Sequence, residues 1–109
     1  GKATPEFLHT VLNGIESRYP EVIIGVHLHS RRVDVVEKMN VILENGIKRI
    51  DSALTGMGGC PFAQDELVGN IPTEILVKLL KEKSVHLNLN WDKYQEALQM
   101  AEWIKSRYH

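Results

Sequence analysis

A single cysteine, Cys60, in 109 residues excludes an intrachain disulfide, and a reducing, cytoplasmic setting is the expectation. No basic-then-apolar leader opens the chain, and no apolar run approaches the roughly 20 residues that a membrane-spanning helix needs. The first residues are Gly1-Lys-Ala-Thr-Pro with no initiator Met, so a processed or trimmed start stays open. Charge of one sign is also missing. The net charge is −1 with the basic residues scattered, which gives no electrostatic reason to expect nucleic acid or an anionic membrane as partner. Repeats and low-complexity segments are absent too. What remains, 43% apolar and 25% charged residues, is an ordinary globular composition, expected to form one domain over residues 1–109.

The order of elements is legible from periodicity and caps. Thr4-Pro5-Glu6 reads as an N-cap, a first-turn proline and an acid at the positive helix end, followed by Phe7, Leu8, Val11, Leu12 and Ile15 on one stripe. Val22 to His29 is a β-branched apolar run without helical spacing, as in a strand buried on both faces. From about Arg32, the residues Val35, Val36, Met39, Ile42 and Leu43 return to helical spacing and stop at Asn45-Gly46. Lys48 to Leu54 is the next strand, and a Gly/Pro loop runs from there to about Pro72. A third helix starts at Thr73, Val85 to Leu89 alternates like a last strand, and Asn90 caps a final helix with Tyr94, Leu98, Ala101 and Trp103 or Ile104 facing inward.

Three strands separated by helices, with no hairpin signal, call for parallel pairing through right-handed crossovers. The turn after the first strand is His-Ser-Arg-Arg-Val, so the glycine fingerprint of a dinucleotide-binding sheet is absent. The expected fold class is therefore α/β, the C-terminal part of a (β/α)8 barrel. Such barrels use about 250 residues, so this length supplies less than half of one. An open sheet of this kind needs cover from a remaining N-terminal barrel segment or a second chain, and a homo-oligomer would also serve.

Chemistry gathers at the strand ends. His27 and His29 are two apart on a strand, so both imidazoles emerge on one face with Cα atoms about 6 to 7 Å apart and can converge on one ion. Two solvated histidines at a strand terminus are the commoner reading of His-x-His taken alone. Cys60 follows Gly56, Gly58 and Gly59 and precedes Pro61; it is either a buried small hydrophobe or a thiol carried on a loop over the barrel mouth. Asn70 offers an oxygen ligand or a turn residue, and Asp51 a partner for a metal-bound group or a charge inside the barrel. Arg31 and Arg32 either reach an anionic substrate or are solvated, and His86 reads as a hydrogen-bonded core or interface residue.

Taken together, Val26-His-Leu-His, Asp51-Ser-Ala-Leu-Thr-Gly-Met-Gly-Gly-Cys-Pro-Phe-Ala and Gly69-Asn-Ile-Pro-Thr-Glu resemble the hydroxymethylglutaryl-CoA lyase family of TIM barrels across essentially the whole chain. The resemblance implies that His27, His29 and Asn70 ligate a Mg²⁺ or Mn²⁺ ion and that Cys60 is the catalytic cysteine of a mobile loop. It implies retro-Claisen cleavage of 3-hydroxy-3-methylglutaryl-CoA, an acyl-CoA substrate, to acetyl-CoA and acetoacetate. Ligand type alone admits Zn²⁺ as well.

Two departures stand out. Where the family usually carries an acidic residue after His-x-His, this chain has Ser30-Arg31-Arg32. The family's aspartate ligand and neighbouring arginine belong to early strands that lie outside this sequence, so the chain alone is expected to be inactive. The alternatives are a related acyl-CoA condensing synthase or aldolase, against which the cysteine loop argues, and a non-catalytic barrel fragment that self-associates.

Overall fold

The computed structural model describes residues 3–58 and 68–108, with helix α1 at Pro5–Arg18, α2 at Val35–Glu44, α3 at Thr73–Glu82 and α4 at Trp91–Tyr108. The strands are β1 Gly25–Val26, β2 His29–Arg31, β3 Arg49–Ile50 and β4 Val68–Asn70. Short 3-10 turns lie at Arg32–Asp34 and Leu54–Gly56. None of the described helices is long and apolar enough to cross a membrane.

Local chemistry sets the helix ends. Thr4 Oγ1 accepts the Phe7 N–H at 3.1 Å with Pro5 in the first turn, and Asn90 Oδ1 accepts the Lys93 N–H at 3.1 Å to open α4. Gly46, at φ +75°, follows the end of α2 in the left-handed conformation that stops a helix. The first turn of the Arg32 helix is 3-10 rather than α-helical, so α2 proper begins at Val35.

Leu8 and Leu12 of α1, Val35, Met39 and Ile42 of α2, and Leu76 and Leu79 of α3 pack with Ile47 and Ile71 into one core. Helix α2 packs against both α1 and α3, Val26 and Ile50 of the strands pack against the same core, and α4 packs over the Leu54–Gly56 turn. Strand β1 pairs in parallel with β3, Gly25 opposite Arg49 and Val26 opposite Ile50, as a βαβ crossover requires.

Four expectations are corrected. The third parallel connection is not at Val85 to Leu89, which forms no strand; it is made by Ala53 opposite Pro72, just before α3. The Val85 N–H is spent on the Leu80 carbonyl at 2.9 Å, closing α3 through Ser84 at φ +59°, so this segment starts as a helix stop. The long first strand is split, because β2 turns to pair antiparallel with β4. Its apolar start is not buried on both faces: Val22 is 58% and Ile23 73% exposed, since β1 has a single ladder neighbour among the described residues. On α4, Trp103 and Ile104 are exposed rather than inward.

Candidate functional site

The β1 and β3 ladder places the site. The Asp51 N–H donates to the Val26 carbonyl at 2.9 Å, carrying the parallel register one step past both strands, so His27 and Asp51 leave side by side. Their side chains meet at 3.1 Å, His27 Nδ1 to Asp51 Oδ2. A carboxylate can only accept, so a neutral His27 carries its proton on Nδ1 and presents a lone pair on Nε2. Asp51 is thus the hydrogen-bond partner of the His27 imidazole.

His29 stands beside His27 with ring centroids 5.1 Å apart and planes at 86°. Across the antiparallel register it sits opposite Asn70. Asn70 lies on β4, where its Nδ2 donates to the Met57 carbonyl at 2.8 Å and its backbone N–H to the Gly58 carbonyl at 3.3 Å. The amide nitrogen is therefore engaged, and Oδ1 is the free end. Both Asn70 Oδ1 and His29 Nδ1 are buried without a hydrogen-bond partner among the described residues. Such atoms are uncommon in a folded protein and mark a place where a further group belongs. An open cavity of about 490 Å³ is lined by His27, Ile50, Asp51, Ser52 and Asn70.

Glycines make this packing possible. A Cβ on Gly56 would lie 2.9 Å from the Asn70 carbonyl oxygen, one on Gly58 3.0 Å from Asn70 Nδ2, and one on Gly69 2.8 Å from the Gly56 carbonyl oxygen. Thr55 begins the same turn with an N–H held by Glu74, and Ser52 and Thr73 share a hydroxyl contact at 2.8 Å. The Thr55–Glu74 contact had no sequence signal beyond an acid in the first turn of α3. Glu74 and burial together push the Tyr94 phenol above its ordinary pKa, burial being the larger cause.

The donor set fits a divalent ion as one side of a coordination shell: two imidazoles and an amide oxygen, two of the three with buried atoms awaiting a partner. Among the described residues no three His, Cys, Asp or Glu side chains converge as a metal site, so a hard cation would need further oxygen ligands.

Other sequence candidates fall elsewhere. Cys60 lies outside the described residues. Arg31 is committed to Asp34 at 2.8 Å, whereas Arg32 is exposed and lines a second cavity of about 270 Å³ with Thr55 and Lys105. Ser30 is buried and donates its hydroxyl proton to the Arg31 carbonyl at 2.8 Å. His86 is exposed and outside any strand, contrary to the core reading. His9, which had no assigned role, contacts Asn13 at 3.0 Å.

A family model described as HMGL-like matches residues 1–101. The chain belongs to the HMGL-like family. Hydroxymethylglutaryl-CoA lyase YngG of Bacillus subtilis is 33% identical to it over 107 residues, covering 98% of this chain and 34% of that protein. The HMG-CoA lyase structure from Brucella melitensis superposes with a TM-score of 0.82 at 26% identity, over 97% of this chain and 37% of that one. An HMG-CoA lyase from Acinetobacter baumannii, solved in complex with coenzyme A and 3-methylmalate, gives a TM-score of 0.71 at 33% identity, covering 84% of this chain and 30% of that one. The chain spans about a third of the length of the HMG-CoA lyases it matches, and its α/β fold is the corresponding part of their TIM barrel.

Proposed function

We propose that this chain forms the His27, His29 and Asn70 side of a divalent-metal-dependent, hydroxymethylglutaryl-CoA lyase-type active site and supplies Cys60 as its proton donor. The observation that carries the reading is the pair of buried, partnerless atoms, His29 Nδ1 and Asn70 Oδ1, beside a His27 whose Nδ1 is engaged by Asp51. Together with family membership, this favours Mg²⁺ or Mn²⁺ as the ion and an acyl-CoA as the substrate; the Acinetobacter baumannii relative was solved with coenzyme A and 3-methylmalate.

When bound, the cation supplies Lewis-acid polarisation of the substrate oxygens and eases loss of the hydroxyl proton. His27, His29 and Asn70 would hold it, and Asp51 keeps a neutral His27 in the tautomer that offers Nε2. Cleavage breaks the carbon–carbon bond between C2 and C3 of the acyl group. The C3 hydroxyl gives up its proton to solvent water and becomes the ketone of acetoacetate, while C2 carries away the bonding electrons as the acetyl-CoA enolate. The Cys60 thiol protonates that carbon, completing acetyl-CoA. The remaining oxygen ligands come from another barrel segment, whose docking also covers the exposed Val22 and Ile23.

The test supplies the chain with the N-terminal two thirds of the Bacillus subtilis relative's barrel and follows cleavage of 3-hydroxy-3-methylglutaryl-CoA with Mg²⁺ or Mn²⁺. Cys60→Ala is expected to lower turnover by roughly 10²- to 10⁴-fold, the range for losing a positioned acid. Unchanged turnover in that variant rules out the thiol's role, and metal-independent cleavage rules out the ion's.

A further inference from the structure

Thr55 holds a backbone conformation that β-branched residues avoid. Its φ is +62° and ψ 2°, in the left-handed region where Cβ crowds the following carbonyl. It is also buried, so water cannot satisfy its backbone. Among the described residues, the groups holding its N–H are the two oxygens of the Glu74 carboxylate, at 3.0 and 2.9 Å. A hydrogen bond to an ionised acceptor is among the stronger ones a backbone amide can make.

The turn that begins at Thr55 ends on Asn70. Gly56 and Gly58 continue it at φ +71° and +87°, and it delivers the Met57 carbonyl to Asn70 Nδ2 and the Gly58 carbonyl to the Asn70 N–H. Because the Met57 carbonyl can only accept, it decides which end of the Asn70 amide points away, and that end is the buried Oδ1. Thr55, Met57 and Asn70 therefore form one chain of constraint with Glu74 at its origin.

We propose that Glu74 is a positioning residue: by clamping the Thr55 N–H it keeps the 55–58 turn in its left-handed path and so aims Asn70 Oδ1 into the site. The functional consequence rests on the reading of Asn70 as an oxygen ligand, but the positioning itself does not. A plain helix-end role for Glu74, as an acid in the first turn of α3, makes a different prediction. It would be lost in Glu74→Ala whatever occupies position 55. A clamp on a strained threonine becomes dispensable once that residue is glycine, which takes positive φ unaided.

The experiment uses the intact protein as wild type, Glu74→Gln, Glu74→Ala, Thr55→Gly and the Glu74→Ala/Thr55→Gly double variant. Hydrogen exchange of the Thr55 backbone amide and the Asn70 side-chain amide is read by NMR without metal, and Mn²⁺ affinity by electron paramagnetic resonance. Glu74→Ala is expected to speed both exchanges and weaken Mn²⁺ binding about 10- to 100-fold, the usual effect of losing a group that orients a metal ligand. Thr55→Gly in the same background is expected to restore Asn70 protection and affinity to within about threefold of wild type, since glycine removes the need for the clamp. Glu74→Gln keeps an oxygen acceptor and falls between, and it carries the comparison should Glu74→Ala not fold. Asn70 protection unchanged in both Glu74 variants, or no restoration by Thr55→Gly, overturns the proposal. If wild type binds no Mn²⁺ while the exchange pattern follows expectation, the positioning role stands and the metal reading falls.

Discussion

Gly56 and Gly46 share a left-handed backbone, φ +71° and +75°, but differ in what surrounds them. A Cβ on Gly46 meets nothing within 4 Å, whereas one on Gly56 lies 2.9 Å from the Asn70 carbonyl oxygen and 3.1 Å from Pro72 Cγ. Gly46→Ala therefore costs only the left-handed conformation, about 1–2 kcal/mol for a residue with a Cβ. Gly56→Ala adds an overpacking cost of about 1–3 kcal/mol, because a backbone oxygen and a proline ring have nowhere to go. At about 4–8 °C of melting temperature per kcal/mol in a domain near this size, Gly56→Ala should melt roughly 5–20 °C below Gly46→Ala. Gly58→Ala is the informative third member. Its Cβ would lie 3.0 Å from Asn70 Nδ2, a side-chain atom that can swing aside, so stability should stay close to that of Gly46→Ala while the Asn70 to Met57 bond is lost. Thermal unfolding followed by circular dichroism, paired with Mn²⁺ titration, separates the three. Equal melting temperatures for Gly46→Ala and Gly56→Ala would refute the close approach of the turn to Asn70, and with it the account of why the turn needs glycine.

Two other perturbations probe charges. Lys38 is buried with no hydrogen-bond partner for its ammonium among the described residues, and burial lowers its pKa from the ordinary 10.5, against the attraction of Asp34 and with the repulsion of Arg31. A folded-state pKa below the unfolded one means the charged amine costs stability at neutral pH, and this cost is relieved as pH rises through the folded value towards 10.5. Lys38→Met should stabilise by about 1–3 kcal/mol at pH 7 and flatten that rise, as read by urea unfolding across the range; a destabilised variant with the slope intact would contradict the assignment. Asp51→Ala should weaken Mn²⁺ binding about 10- to 100-fold through loss of His27 orientation, yet change stability by no more than about 0.5 kcal/mol because both side chains are largely exposed. Unaltered affinity in that variant would show that the His27 to Asp51 contact orients nothing.

Helix ends were legible in the sequence because their chemistry is local: Thr4 with Pro5, Asn45-Gly46 and Asn90 each act within one turn of the chain. Strands were less so, because alternation says only that a segment has two faces, while a strand also needs a neighbour. Val85 to Leu89 has the pattern but begins by closing α3, and the parallel neighbour of Ala53 is Pro72, in a stretch that reads as loop. The same distinction divides the site. The shared face of His27 and His29 follows from a period of two, and the structure places the rings 5.1 Å apart. That Asp51 engages His27, and that His29 faces Asn70, depends on register between strands, which spacing alone does not fix. Least legible was Thr55, since a β-branched residue is the last choice for positive φ and only the distant Glu74 explains it.

The arrangement of buried and open donors also relates binding to assembly. His29 Nδ1 and Asn70 Oδ1 are enclosed, whereas the His27 and Asp51 side chains are 58% and 75% exposed. Neutral donors alone hold a hard cation poorly, so in the proposed site further oxygen ligands would approach from the open side. Strand β1 is also unpaired on the edge away from β3 among the described residues, with Val22 and Ile23 exposed just ahead of it. A strand laid parallel against that edge would end beside His27, on the flank opposite Asp51, where barrels place their reacting groups. Covering the apolar edge and completing the shell of ligands would then be one event. Linkage requires that the ion tighten the association by the same factor as the association tightens the ion, so the partner's affinity measured with and without Mn²⁺ gives the contribution of the ligands it brings.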